Sequence, residues 1–285
     1  MLQLKTFRKF GLVADPFTGD VTKAEDVYLT EDTRFVAEYL LQTAKAGGMV
    51  ALVGESGSGK TTIRRYALER MAADGEKVRV ITPRCVDKTR LTTGTICDAI
   101  VADCSAETPR RTLEAKARQV ERILTNSSRS GYSHVLMIEE AHDLDVRTLK
   151  YLKRFWEMED GFKKLLSIIL VGQIELKSKL DESKNWEARE VIRRMEVLEL
   201  EPLGTGADIA DYLDIKFARL GKDRRTVIAD SGCEALAAKL RRQTRNGVVY
   251  SVAFPLLVNT WTRRAMNSAA ELGTATVDAE VVNAL

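Results

Sequence analysis

The chain has 285 residues, 45% of them hydrophobic, and its 44 basic and 41 acidic side chains leave a net charge of +3. That hydrophobic share excludes a mainly disordered chain, and the length leaves room for two domains at roughly 100–200 residues each. So even a charge balance neither demands nor excludes a nucleic acid, because binding depends on a local patch rather than on the sum.

The longest apolar run, Leu165–Val171, is interrupted by Ser167, far short of the ~20 residues a membrane-spanning helix needs. The opening MLQLKTFRKF has charges but no apolar core of a secretory signal. Cys85, Cys97, Cys104 and Cys233 match no zinc spacing and are too few for a disulfide scaffold. With two histidines in the chain, a metal cluster is not expected. The expectation is a soluble cytoplasmic protein whose thiols are reduced and mostly buried.

In chain order, Asp15-Pro16-Phe17 and Thr18-Gly19-Asp20 read as a turn-rich entry segment. Phe35, Val36, Tyr39, Leu40 and Ala44 then recur at helical spacing over Glu31–Ala46, and Gly47-Gly48 stops that helix. Met49–Val53 is short, apolar and flanked by glycine, as a buried strand would be. A helix over Lys60–Ala72 ends at Asp74-Gly75, and Lys77–Thr82 is a second strand stopped by Pro83. Leu113–Leu124 reads as helix, Val135–Ile138 as the third strand and Asp145–Met158 as helix. Leu165–Val171 and Glu196–Leu200 are the fourth and fifth strands. Strands alternating with helices predict an α/β fold with a parallel five-stranded sheet covered on both faces. Beyond Pro202 the strand signals stop. Ile209, Leu213, Phe217 and Leu220 form one helical stripe, Leu236 and Leu240 part of another, and Leu257, Trp261 and Ala265 a third. The predicted organisation is an entry segment and helix packed on the core (1–48), an α/β core (49–203) and a small all-helical domain (204–285).

Gly54-Glu55-Ser56-Gly57-Ser58-Gly59-Lys60-Thr61 fits the phosphate-binding pattern G-x-x-x-x-G-K-[ST] between a strand and a helix, with Thr62 next in line. Its glycines allow backbone N–H groups to converge on phosphates, and the helix N-terminus adds its dipole. Lys60 is placed to reach the β- and γ-phosphates and the Thr61 hydroxyl to ligate Mg²⁺. Glu139-Glu140 follows the apolar run Val135–Ile138, which sets two carboxylates at the C-terminal end of a buried strand, where α/β sheets bind ligands. Glu139 is the candidate for holding Mg²⁺ and Glu140 for polarising the attacking water. Gln173, after the fourth strand, is a candidate for contacting the γ-phosphate or that water. Arg193 and Arg194, with Arg189, precede the fifth strand. Arginines of this kind stabilise charge on a transferring phosphoryl group and can come from a neighbouring subunit. Reading Glu139-Glu140-Ala141-His142 as a helicase box is set aside, because the α/β region ends near residue 203 and leaves no room for a second motor domain.

The ordered set of loop, double acid, Gln173, pre-strand arginines and helical tail resembles an AAA+ ATPase. Phe10-Gly11-Leu12 with Asp15-Pro16-Phe17, the segment LLSIILVGQIEL (165–176) and IRRMEVLELEPL (192–203) followed by Asp208-Ile209 and Tyr212-Leu213 are similar to ExeA-like ATPases. The MuB, TnsC and TniB ATPases of transposition share this layout. The resemblance implies ATP and Mg²⁺ as cofactors, a homo-oligomer in ring or filament form, and duplex DNA bound with little sequence preference. It also implies a transposase or related recombination protein as partner, with secretion assembly or protein remodelling as the alternative. In TnsC-like assemblies the loops after the second strand line the DNA path, which points here to Arg84, Lys88, Arg90 and Thr92. The chain departs from the pattern in having Glu-Glu for Asp-Glu and Ile174 for a proline. It also shows Gly247-Val248-Val249-Tyr250 where ExeA-like lids show Gly-x-Pro-Arg, leaving Arg245 as a candidate lid arginine.

Overall fold

The computed structural model describes every residue except Asp20, Thr22 and Val86; the parts of the entry turn and of the loop after the second strand that fall on Asp20 and Val86 lie outside the described residues. Along the chain run α1 (Leu4–Phe10), α2 (Glu31–Ala46), β1 (Met49–Val53), α3 (Lys60–Ala73), β2 (Val78–Ile81), α4 (Thr93–Cys104), α5 (Leu113–Arg129) and β3 (Ser133–Ile138). Then follow α6 (Val146–Trp156), β4 (Glu159–Asp160), β5 (Lys163–Lys164), β6 (Ser167–Gly172), α7 (Glu175–Lys179), α8 (Arg189–Ile192) and β7 (Glu196–Glu199). The remainder holds α9 (Gly206–Ala218), α10 (Asp230–Lys239), β8 (Arg241–Gln243), β9 (Val249–Ser251), α11 (Pro255–Leu272) and α12 (Ala279–Asn283).

Two compact units emerge, one of Thr33–Glu55 with Ile63–Leu200, the other of Met1–Asp32, Ser56–Thr62 and Glu201–Leu285. The first is built on a five-stranded sheet of order β2-β3-β6-β1-β7, and all its pairings are parallel. The inner strands are buried along their length, as continuous apolar runs must be when helices cover both faces. Because β1, β3 and β6 are parallel and in register, Val53, Ile138 and Gly172 end on the same edge. Gly54, Glu139 and Gln173 follow them directly. Helix α4 was not expected from the sequence. It starts at Thr92, whose hydroxyl accepts from the Thr95 amide while Thr95 reciprocates, and it buries Ile96, Cys97, Ile100, Val101 and Cys104.

The second unit joins the N-terminal entry segment to the C-terminal region. The entry segment packs within this unit: Phe10, Leu12 and Phe17 share a core with Leu213, Phe217 and Met266, and Phe17 meets Phe217 edge to face with ring centroids 5.9 Å apart, while most of α2 belongs to the sheet unit. Asn267 Oδ1 accepts from the Gln3 amide and the Thr6 hydroxyl, and Arg263 Nε lies 3.1 Å from Asp15 Oδ2. The C-terminal region is also not wholly helical. β8 and β9 form an antiparallel hairpin, Arg241 opposite Ser251 and Arg242 opposite Tyr250. Among the described residues no helix is long and apolar enough to cross a membrane.

Candidate nucleotide site

Gly57 adopts φ +79°, a left-handed conformation that glycine alone takes without strain. A Cβ there would lie 2.3 Å from Cβ of Leu256, because the amide of Leu256 donates to the Gly57 carbonyl at 3.3 Å. The loop is thus clamped by the start of α11, whose first residue is Pro255. Ser58 is buried and its Oγ has no hydrogen-bond partner among the described residues. An orphaned hydroxyl inside a glycine-bent loop that opens a helix suits a phosphate chain, whose oxygens supply the missing acceptors.

On the sheet edge, Glu139 and Glu140 part company. Arg64, one turn beyond Lys60 on α3, brings its Nε to 2.8 Å from Glu139 Oε1. Glu140 sits at φ 52°, ψ 39°, the one non-glycine residue at positive φ among the described residues. That conformation turns its carboxylate outward, where the side chain is 63% exposed. The next turn, Ala141–Asp143, carries His142, whose Nδ1 accepts the Gln173 amide at 3.3 Å. His142 therefore links the end of β3 to the end of β6, a bridging role that sequence reasoning missed. The approach is tight: a Cβ on Gly172 would lie 3.1 Å from the His142 amide nitrogen and 2.9 Å from Leu176.

The arginines before β7 differ in how they are held. Arg193 makes a two-point ion pair with Glu182, Nε to Oε2 at 2.9 Å, which raises its pKa above the ordinary arginine value. Arg194 donates to the Glu190 carbonyl at 2.6 Å and lies 5.8 Å from the Trp156 ring. The Glu190 carboxylate is taken by Lys153.

Residues 43–180 match the AAA domain family. Over 134 residues the chain is 31% identical to General secretion pathway protein A of Aeromonas hydrophila, a match covering 47% of this chain and 24% of that one. The chain thus spans about a quarter of that relative's length. Among solved structures, Cdc6p from Pyrobaculum aerophilum superposes with a TM-score of 0.60 at 14% identity, covering 93% of this chain and 68% of that one. The Aeropyrum pernix ORC2 protein gives 0.60 at 16%, covering 94% and 69%, and Drosophila ORC bound to DNA gives 0.59 at 16%, covering 99% and 65%. The fold is that of an AAA+ P-loop NTPase.

A nucleoside triphosphate with Mg²⁺ is the pair such a loop would hold, and the glycine bend and the Ser58 hydroxyl suit its phosphates. Arg245 sits in the exposed connection between β8 and β9, while at the start of α11 the Leu256 amide meets the Gly57 carbonyl. Pro255 occupies the first turn of α11, a position proline suits because no helical partner is needed for its missing N–H. In the loop after β2, Arg84 is exposed, Lys88 donates to the Pro83 carbonyl, Arg90 pairs with Asp87 at 3.1 Å, and the Thr92 hydroxyl is engaged in the cap of α4.

Proposed function

We propose that this protein is an ATP-hydrolysing AAA+ ATPase that oligomerises on duplex DNA and regulates transposition through target selection and transposase activation. The observation that carries the enzymatic part is the shared edge: the phosphate loop leaves β1 where β3 presents Glu139-Glu140 and β6 presents Gln173. In this reading Gly54–Lys60 cradle the phosphates, with Thr61 and Thr62 in the first turn of α3. Thr61 and Glu139 would hold Mg²⁺, which would supply charge neutralisation at the phosphates. Glu140 accepts a proton from the attacking water as its oxygen bonds the γ-phosphorus. The bond from that phosphorus to the bridging oxygen breaks, and ADP and phosphate leave. Gln173 orients the water or the γ-phosphate, and Arg194, with Arg193 as second candidate, reaches the site of an adjoining subunit. A contact supplied in trans generates rings or helical filaments.

The DNA part is supported by the ordered resemblance to transposition ATPases and by the likeness of fold to an ORC bound to DNA. Electron microscopy of the purified protein with a slowly hydrolysed ATP analogue, with and without duplex DNA, tests it. Ordered rings or filaments that need both nucleotide and duplex are expected. Assembly indifferent to duplex would favour the second reading, a secretion-assembly ATPase acting on protein, which the likeness to General secretion pathway protein A supports.

A further inference from the structure

Between Glu234 and Glu271 the sequence carries no carboxylate, while Lys239, Arg241, Arg242, Arg245, Arg263 and Arg264 supply six cations. Three of these are occupied inside the C-terminal unit: Arg263 pairs with Asp15, Lys239 donates to the Val282 carbonyl, and Arg264 lies over the Trp261 ring. The other three stand on the β8–β9 hairpin, where every residue from 241 to 250 is exposed. Arg241 and Arg245 have no side-chain hydrogen bond or ion pair among the described residues, and Arg242 donates only to backbone carbonyls at 3.2 and 3.3 Å.

The hairpin is stiff despite its exposure. At its base, Val252 donates to the Leu240 carbonyl at 2.8 Å and Ser251 Oγ to the Leu203 carbonyl at 2.9 Å, and Leu240 and Ala253 are fully buried. At its tip, Thr244 and Val248 exchange backbone and side-chain bonds, and the Gly247 amide donates to the Thr244 carbonyl at 3.0 Å. Gln243 closes the turn through the Gly247 carbonyl. A protrusion fixed in this way loses little freedom on binding.

We infer that the β8–β9 hairpin is a duplex-DNA contact, with Arg241 and Arg242 on phosphates and the Arg245-Asn246 tip entering the major groove. The inference rests on the DNA-binding reading above and adds a surface to it. The free charge is all of one sign, which suits a polyanion. A two-stranded ribbon fits the ~12 Å major groove of B-DNA, whereas the deep, narrow major groove of duplex RNA does not admit side chains. Compared with the loop after β2, whose cations are largely engaged, this hairpin offers donors already directed at solvent.

The test uses the full chain and a labelled random-sequence duplex, titrated across salt concentrations. Replacing Arg241, Arg242 and Arg245 together by alanine should weaken binding at least tenfold near 150 mM salt. The slope of log affinity against log salt should fall by about 0.9 for each lost phosphate contact. The triple Arg→Lys variant should keep most of the slope, and thermal unfolding should be unchanged in both. Lys88→Ala with Arg90→Ala is run beside them. If the alanine hairpin variant binds duplex as the parent does, the hairpin assignment falls while the DNA-binding reading stands. A parent that binds no duplex overturns both. Loss of RNA-duplex binding with DNA binding intact would reassign the hairpin and overturn the proposal.

Discussion

Arg64 Nε lies 2.8 Å from Oε1 of Glu139, joining the helix that follows the phosphate loop to the end of β3. The pair gives a physical use for glutamate where aspartate is common, since the extra methylene lets the carboxylate reach the helix. It also means that a carboxylate proposed to hold Mg²⁺ carries a cation beside it.

Arg64→Met should therefore free Glu139 to change rotamer and blur its aim. We expect a several-fold loss of ATP turnover and an upward shift of the Mg²⁺ midpoint, with ATP affinity preserved. Glu139→Asp should give a similar midpoint shift, by withdrawing the carboxylate from Arg64. An unchanged Mg²⁺ titration in Arg64→Met would show that the pair is structural only.

Glu140 combines a left-handed backbone with the proton-accepting role proposed for it. Its left-handed backbone costs a non-glycine residue on the order of 1 kcal/mol, so Glu140→Gly should leave the protein as stable or slightly more stable while turnover collapses. Glu140→Gln keeps the side-chain shape and should bind ATP normally with turnover down by ~10²–10⁴. Equilibrium denaturation beside a steady-state ATPase assay separates the two effects. Normal turnover in Glu140→Gln would transfer the proton-accepting role elsewhere.

Arg194 is the better candidate for completing a neighbour's site, because Arg193 would first have to break its two-point pair with Glu182. Arg194→Ala should lower turnover by roughly 10³-fold. Mixing it with Glu140→Gln should restore part of the activity at interfaces that hold one intact residue of each kind. With co-assembly confirmed, no recovery at any ratio would place the arginine's action within its own subunit.

Buried His134 provides a pH prediction. Its Nδ1 lies 3.1 Å from the Leu165 carbonyl and so carries the proton, leaving Nε2 to accept from Ser127 Oγ at 2.8 Å. Burial pushes its pKa down from 6.5 to about 4. The unfolded chain therefore binds the extra proton first. The stability from neutral His134 is fully present above pH 6.5 and is lost progressively as pH falls toward 4. The full loss is of order 3 kcal/mol. Urea unfolding at pH 7.5 and 4.5 should show the drop, and His134→Gln should reduce it. An equal drop in that variant would assign the acid sensitivity to carboxylates.

The sheet and the phosphate loop were legible because their signals are local. Met49–Val53 and Val135–Ile138 are apolar throughout, and the loop's fixed positions are few and strict. Helix α4 was also encoded, by Thr92 and Thr95 at capping distance and by Ile96, Ile100 and Cys104 four residues apart, but Thr-Thr-Gly-Thr reads first as loop. Asn246-Gly247 is a hairpin turn signal, outweighed here by the helical stripes on either side. The Arg64–Glu139 pair, the bridge through His142 and the seat of Phe17 against Phe217 join residues far apart in sequence, and no periodicity announces them.

That last contact has a consequence for biosynthesis. Phe10, Leu12 and Phe17 leave the ribosome before Phe217 and Met266, with which they form a core and which emerge two hundred residues or more later. At 5–20 residues per second, that interval is roughly 10–40 s. Throughout it these three apolar side chains wait without the core that covers them in the folded chain, an interval in which a chaperone would shield them.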